Sequence, residues 1–111
     1  MRTQMTDNVP RFVRVARADD LRAGEKKIVE VNGALVVVIN LEGKFYALED
    51  VCTHDGGPLG EGELEDGHIV CPRHGAHFDV QTGAALTLPA FEPVTTYQVQ
   101  VVDGDVLVEA Y

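Results

Sequence analysis

The sequence predicts an all-β protein made of antiparallel hairpins, with a small subdomain inserted among them. Short runs of Val, Ile, Leu and aromatic residues recur along the chain, and Asn-Gly and Asp-Gly turns separate several of them. Only residues 18–24 suggest a helical turn. A chain of 111 residues has the length of one domain, which we expect to span 11–111.

The first half of the chain is typical of a strand meander. Residues 1–10 are polar and aperiodic, so we expect a flexible N-terminal arm. A first strand begins near Arg11, and an aspartate is expected to cap the helical turn at 18–24, which Gly24 ends. Three strands then follow at 26–31, 34–40 and 44–48, with turns at Asn32-Gly33 and Glu42-Gly43.

The second half contains a region of different composition. Residues from roughly 50 to 92 are rich in Gly and Pro and contain two short apolar pieces, 68–71 and 77–80, with turns at Glu65-Asp66-Gly67 and Gln81-Thr82-Gly83. We interpret this region as the inserted subdomain. Beyond it, 95–102 alternates as one strand and 105–110 returns as the last, with a turn at Asp103-Gly104 between them.

The charge of the chain restricts its partners. A formal charge of −9 argues against nucleic acid, because phosphates are bound by clustered Lys and Arg. Acidic patches suit a basic protein partner, although the acids could simply keep a small domain soluble. No apolar run approaches the ~20 residues of a membrane span, so we expect a soluble, cytoplasmic protein.

The two cysteines are the main chemical signal. Cys52 precedes His54 in a C-x-H motif, and Cys71 precedes His74 in C-P-x-H-G, with sixteen residues between the two motifs. A lone disulfide is the alternative, but the composition does not resemble a stapled extracellular scaffold. Each loop therefore offers one thiolate and one imidazole to a shared metal centre.

The mixed ligand pairs favour one kind of centre. A zinc site with two cysteines and two histidines usually pairs like with like. A two-iron cluster with two thiolates on one iron and two imidazoles on the other needs one of each from both loops. Structural zinc remains the alternative, and His77 could in principle compete with His74 as a ligand.

These loops resemble those of the Rieske iron–sulfur proteins. The resemblance rests on Cys52-Thr53-His54 and Cys71-Pro72-Arg73-His74-Gly75, and the hairpin-rich flanks are similar to the family's antiparallel β-sandwich or barrel. It implies one [2Fe-2S] cluster, with Cys52 and Cys71 on the inner iron and His54 and His74 on the outer, solvent-exposed iron. Leu88-Pro89-Ala90 resembles the loop that covers the cluster, although a plain turn is the alternative.

The resemblance also indicates a subtype. High-potential members carry a disulfide between the two loops and a serine and a tyrosine that donate to cluster sulfurs. Here the matching positions hold Gly57, Arg73, Ala76 and Phe78. Hydrogen bonds to sulfur stabilise the more negative reduced state, so their loss implies a potential near the bottom of the Rieske range, about −150 mV.

The implied function is electron transfer, with no catalysis by the chain itself. A flavin-dependent NAD(P)H reductase would be the donor and a terminal oxygenase the acceptor, as in bacterial ring-hydroxylating systems. The alternative within the family is the small subunit of an NAD(P)H nitrite reductase. A zinc-stabilised binding module is the alternative outside it. The sequence leaves open whether Arg73 contacts a partner. We expect His77 to lie beside the centre or at the surface, and the sequence gives His68 no function.

Overall fold

The computed structural model describes residues 11–53, 56–73, 75–88 and 90–110. The expected arm at 1–10 lies outside these ranges. Within them the only helical segment is a 3-10 turn, so the predicted all-β class is confirmed, and no helix there could cross a membrane. The ten strands are β1 (Arg11–Arg17), β2 (Lys26–Val31), β3 (Ala34–Leu41), β4 (Lys44–Glu49), β5 (Leu64–Glu65), β6 (His68–Val70), β7 (His77–Asp79), β8 (Thr96–Tyr97), β9 (Val99–Val102) and β10 (Asp105–Ala110).

The strands form three antiparallel sheets. Their orders are β1-β10-β9 in an outer sheet, β2-β3-β4-β8 in a central sheet and β5-β6-β7 in a small sheet. The small sheet lies in sequence between β4 and β8, inside the stretch interpreted as an insertion. The limits of that insertion at 50 and 92 stay a prediction.

Four tight hairpin turns set the register of the strands. In each turn both central residues have positive φ, which defines the turn whose twist matches that of paired strands. Asn and Asp tolerate this conformation better than most residues, and Gly adopts it without steric cost. The four pairs are Asn32-Gly33, Glu42-Gly43, Asp66-Gly67 and Asp103-Gly104, all at turns expected from the sequence.

The central sheet is buried on both faces, which explains its long aliphatic run. Val36 and Val38 pack with β1 and β10 residues in a core between the central and outer sheets. Val37 and Ile39 point the other way, into a core shared with the small sheet and its loops. All four side chains are inaccessible to solvent. Strand β3 is therefore continuously apolar, as expected for a strand covered on both sides.

The predicted helical turn is shorter than expected and is capped differently. It is a 3-10 turn at Ala18–Asp20, and no side chain caps its start, so the predicted aspartate cap is wrong. Leu21 ends it in extended conformation. Gly24 lies beyond, at φ 87°, where its amide donates to the Asn40 carbonyl oxygen at 2.8 Å.

The predicted strand at 95–102 is divided between two sheets. Its first part, β8, pairs with β4 of the central sheet, and its second part, β9, pairs with β10 of the outer sheet. At the break, the Gln98 carbonyl accepts from the Glu109 amide at 2.9 Å, and the Gln98 amide donates to Glu109 Oε1 at 3.2 Å. Alternation of apolar residues continues through such a corner, so the sequence pattern could not reveal it.

Candidate metal centre

The first ligand loop, residues 52–57, is closed by two backbone hydrogen bonds. The Cys52 amide donates to the Gly57 carbonyl oxygen at 2.7 Å, and the Gly56 amide donates to the Cys52 carbonyl oxygen at 2.7 Å. Gly56 has a φ of 76°, a conformation that glycine adopts readily. These bonds fix the backbone on either side of the predicted ligand His54.

The second ligand loop, residues 71–76, repeats this geometry. The Cys71 amide donates to the Ala76 carbonyl oxygen at 2.8 Å, and the Gly75 amide donates to the Cys71 carbonyl oxygen at 3.0 Å. Gly75 also has a φ of 76°. Each loop thus starts with a cysteine, closes five residues later and carries its left-handed glycine at the same position. The structure presents two equivalent cysteine loops, as a centre shared between them requires.

Both cysteines are buried in one apolar environment. Cys52 is 0% exposed and Cys71 is 1% exposed, and the two are not joined in a disulfide. They belong to the same core cluster as Ala76, Phe78 and Ala90. A thiolate is costly in such surroundings unless a cation neutralises it, so two buried cysteines at the starts of matched loops fit a metal centre.

The first loop is held to its neighbours by side-chain hydrogen bonds. Asp50 Oδ1 accepts from the amides of Leu59 at 2.9 Å and Gly60 at 2.5 Å, so one carboxylate spans the loop from just before Cys52 to just after Gly57. Within the loop, Thr53 Oγ1 donates to the Glu92 carbonyl oxygen at 2.7 Å. The Asp50 carboxylate and the Thr53 hydroxyl thus attach the first loop to its neighbours at two points.

The second loop sits at the end of the β6–β7 hairpin, where two histidines meet. The His68 and His77 Nδ1 atoms are 3.2 Å apart, and the rings are nearly perpendicular at 84° with centroids 5.4 Å apart. The His77 amide also donates to Thr87 Oγ1 at 2.9 Å. Sequence reasoning gave His68 no function and weighed His77 only as a competing ligand or as a residue beside the centre or at the surface. Their positions on two strands flanking a short loop were the available signal.

Two close approaches of backbone support these loops. A Cβ on Gly62 would lie 1.7 Å from the Val70 carbonyl oxygen, immediately before Cys71. A Cβ on Gly83 would lie 2.2 Å from the Val94 carbonyl oxygen. Only glycine fits at either point, so the polypeptide around the second loop is packed backbone against backbone.

The segment from 86 to 92 forms a third loop beside the other two. Its Ala90 is 5% exposed and packs in the cluster that contains both cysteines, while Leu88 and Phe91 are 71% and 82% exposed. Ala90 therefore belongs to the apolar surroundings of both cysteines. That this loop covers the cluster stays a prediction. Pro89 lies outside the described residues.

Two of the four predicted ligands also lie outside the described residues. These are His54 and His74, so the complete ligand set remains a prediction. Among the described residues no group of three or more His, Cys, Asp or Glu could hold a metal ion. The structure brings Cys52 and Cys71 into one cluster.

Comparison with known proteins identifies the family. Residues 11–98 match the Rieske [2Fe-2S] domain. This chain belongs to the Rieske family. The 3-phenylpropionate/cinnamic acid dioxygenase ferredoxin subunit of Escherichia coli (strain K12) is a relative, with 41% identity over 91 residues that cover 81% of this chain and 85% of the relative.

Solved Rieske structures have the same fold. The ferredoxin of carbazole 1,9a-dioxygenase from Nocardioides aromaticivorans IC177 superposes with a TM-score of 0.84 at 36% identity, over 87% of this chain and 95% of that one. A ferredoxin in a complex of reduced oxygenase and oxidized ferredoxin in carbazole 1,9a-dioxygenase also gives 0.84 and 36%, over 88% and 92%.

The comparisons settle several predictions made from the sequence. The Rieske-type β fold and one [2Fe-2S] cluster per chain are confirmed. The role of a ferredoxin, an electron carrier within an oxygenase system rather than an enzyme in its own right, is also confirmed. Structural zinc is thereby set aside.

Proposed function

We propose that this Rieske protein relays single electrons from an NAD(P)H-dependent flavin reductase to a terminal oxygenase, with Cys52, His54, Cys71 and His74 as the cluster ligands. The observation that carries the proposal is the matched geometry of the two loops, each of which begins with a buried cysteine. When bound, the cluster supplies one reversible electron. Solved complexes of related ferredoxins with oxygenases support the choice of acceptor.

The chain's own residues supply a rigid, dry setting for that electron. Asp50 and the backbone bonds of both loops hold the ligand positions, so little rearrangement accompanies a change of charge. Phe78, Ala76 and Ala90 exclude water from the sulfurs. Neither Ala76 nor Phe78 carries a hydroxyl, which supports a low midpoint potential for this chain.

The nature of the donor supports a cytoplasmic location. NAD(P)H-dependent reductases work where the nicotinamide pool is held. We therefore infer that both partners of this chain are intracellular proteins.

The ligand assignment is tested with a matched pair of histidine variants. His74→Asn is expected to lose the visible absorption of the cluster and most of its iron and acid-labile sulfide. His77→Asn is expected to keep two irons and two sulfides per chain, because His77 is engaged with His68 and Thr87. Iron and sulfide analysis after anaerobic purification measures both variants. Full iron in His74→Asn, or equal loss in both variants, contradicts the assignment.

The relay is tested by reconstitution. The wild-type protein should be reduced by a flavin reductase with NADH and reoxidised by a terminal oxygenase, both followed in the visible spectrum. Cys52→Ser should support neither step, because a ligand is lost. A cluster-loaded wild-type protein that neither exchanges electrons with a reductase nor delivers them to an oxygenase would refute the relay.

A further inference from the structure

Strand β2 is an open edge of the central sheet. Within the described part of the chain it pairs with β3 alone, along all six residues from Lys26 to Val31. The free side of an edge strand presents unpaired backbone N–H and C=O groups, which can bond to a further strand. Whether another strand can approach therefore depends on the side chains that β2 presents.

The hairpin geometry shows which backbone groups of β2 point outward. Asn32-Gly33 is a two-residue turn, so Val31 and Ala34 on either side of it form a hydrogen-bonded pair. Bonded residues alternate along an antiparallel strand, so every second residue back from Val31 bonds to β3. The residues between them direct their N–H and C=O groups away from the sheet. These outward residues are Lys26, Ile28 and Glu30.

The side chains of the three outward residues form a self-complementary pattern. When two β2 strands pair antiparallel about a two-fold axis at Ile28, this residue faces its own copy, and Lys26 faces Glu30 of the second copy. Residues that are directly opposite in an antiparallel pair lie on the same sheet face. Opposite charges therefore meet on both sides of a central isoleucine contact, and the same strand supplies both halves of the match.

The apolar surface at this edge is exposed. Ile28 is 40% exposed, and Leu35, opposite Glu30 on β3, is 54% exposed. Both lie on the face of the central sheet that carries Val37. Two exposed aliphatic side chains on adjacent strands form an apolar surface that a second β2 strand would partly cover.

The other sheet edges are less suited to a further strand. Strand β1 has an irregular register between Arg14 and Ala16, and bulges of this kind protect edge strands from pairing. Strand β9 faces β4 across a groove lined by Phe45 and Val99, among others. Strands β5 and β8 have two residues each. Among the described strands, β2 is therefore the edge best able to accept another strand.

We propose that two copies of this chain associate through β2 as an antiparallel, two-fold dimer with Ile28 at the axis and Lys26 paired with Glu30 of the second copy. The central sheets of the two copies would then form one continuous sheet. The occupant of the edge is the chain itself, because the order Lys-x-Ile-x-Glu is complementary to its own reverse. The dimer is independent of the proposed relay function.

The charges of the chain make this dimer weak. Each copy carries −9 overall, which opposes association, whereas β2 itself holds two lysines and one glutamate. At about 0.15 M salt, repulsion beyond about 8 Å is largely screened, and charges in contact keep most of their attraction. A six-residue edge buries a small area, so we expect a dissociation constant on the order of 100 µM.

Charge reversal at the edge tests the dimer. Sedimentation velocity of the cluster-loaded protein, followed by its visible absorption, should show wild type passing from monomer to dimer between about 20 µM and 2 mM. Glu30→Lys and Lys26→Glu should each weaken the dimer at least about tenfold, because the two-fold axis repeats every like-charge contact. The combined variant Lys26→Glu, Glu30→Lys should return to within about threefold of wild type, since the opposite charges are restored.

Lys27→Glu is the matched control. It makes the same charge change in the same strand, but Lys27 lies on the other sheet face, opposite Val29 of the second copy. Its dimer should stay within about threefold of wild type. Glu30→Lys adds a further control, because it changes the net charge from −9 to −7. Net charge alone would then strengthen association, so weakening isolates the contact with Lys26.

Several results would overturn the dimer. A wild-type protein that sediments as a monomer up to about 2 mM is one of them. A dimer that neither single reversal weakens, or that the combined variant does not restore, uses another surface and refutes pairing through β2. Iron content and far-ultraviolet circular dichroism identify the folded, cluster-loaded variants. A monomeric wild type that still exchanges electrons with a reductase and an oxygenase refutes the dimer alone and leaves the relay intact.

Discussion

Replacing Gly62 by alanine should damage the second ligand loop from a distance. The new Cβ would lie 1.7 Å from the Val70 carbonyl oxygen and 2.8 Å from its carbonyl carbon. To reach an ordinary contact of about 3.4 Å, one of the two backbones must move by about 1.7 Å. Because Cys71 follows Val70 directly, that displacement is transmitted to a predicted ligand.

The cost can be worked from these contacts. Overpacking against backbone costs about 2–3 kcal/mol, and the hydrogen bond from the Val70 amide to the Glu63 carbonyl oxygen, 2.9 Å long, adds about 1 kcal/mol if it breaks. A loss of about 3–4 kcal/mol lowers Tm by roughly 15 °C in a domain of this size. Thermal unfolding followed by far-ultraviolet circular dichroism measures the shift, and iron analysis should show partial loss of cluster.

Gly67→Ala is the matched control for this prediction. Gly67 has a φ of 81° and open space around its Cβ position, so alanine there meets only backbone strain of about 1 kcal/mol, or roughly 4 °C. If Gly62→Ala unfolds within a few degrees of Gly67→Ala and retains all its iron, the backbone contact does not support the ligand loop and the reasoning is wrong.

Two further predictions concern the potential and the pH dependence. Ala76→Ser should raise the midpoint potential by about 40 mV in protein-film voltammetry. A hydroxyl beside the cysteines can donate a hydrogen bond to the centre, and that bond should stabilise the more negative reduced state by about 1 kcal/mol. Ala85→Ser is its control, and an unchanged or lower potential in Ala76→Ser would contradict the prediction. Hydrogen bonds from Arg14 and Arg17 lower the pKa of Asp105 below its ordinary 3.8. The ionised Asp105 side chain therefore contributes its full stabilisation of the folded state above pH 3.8, and this contribution is lost as the pH falls through the lowered pKa. When the pH is lowered from about 6 to roughly below 4, the Tm of Asp105→Asn should fall less than the Tm of wild type. An identical fall in both proteins would count against a contribution of Asp105 to stability.

The chemistry of the centre was readable from the sequence because it depends on residue type and spacing. The C-x-H and C-P-x-H-G motifs predicted the cofactor and the family, and both were confirmed. The turns were predictable for a related reason, since Asn-Gly and Asp-Gly favour positive φ through local sterics alone. Features that depend on a few neighbouring residues could therefore be predicted from the sequence.

Features that depend on contacts between residues distant in the sequence were not predicted. The corner at Gln98 leaves the alternation of apolar residues intact, so β8 and β9 looked like one strand. The contact between His68 and His77 forms across a hairpin whose register no motif announces. The exposure of Phe91 is set by the burial of its neighbour Ala90, which sequence alone does not reveal.

Alternate side chains of strand β3 pack into two different cores. Even-numbered Val36 and Val38 serve the scaffold, and odd-numbered Val37 and Ile39 form part of the wall behind the cysteines. The central sheet thus separates a core that supports the scaffold from a core that surrounds the cysteines. Substitutions at Val36 and Val38 therefore leave the surroundings of the cysteines unchanged, whereas substitutions at Val37 and Ile39 alter them.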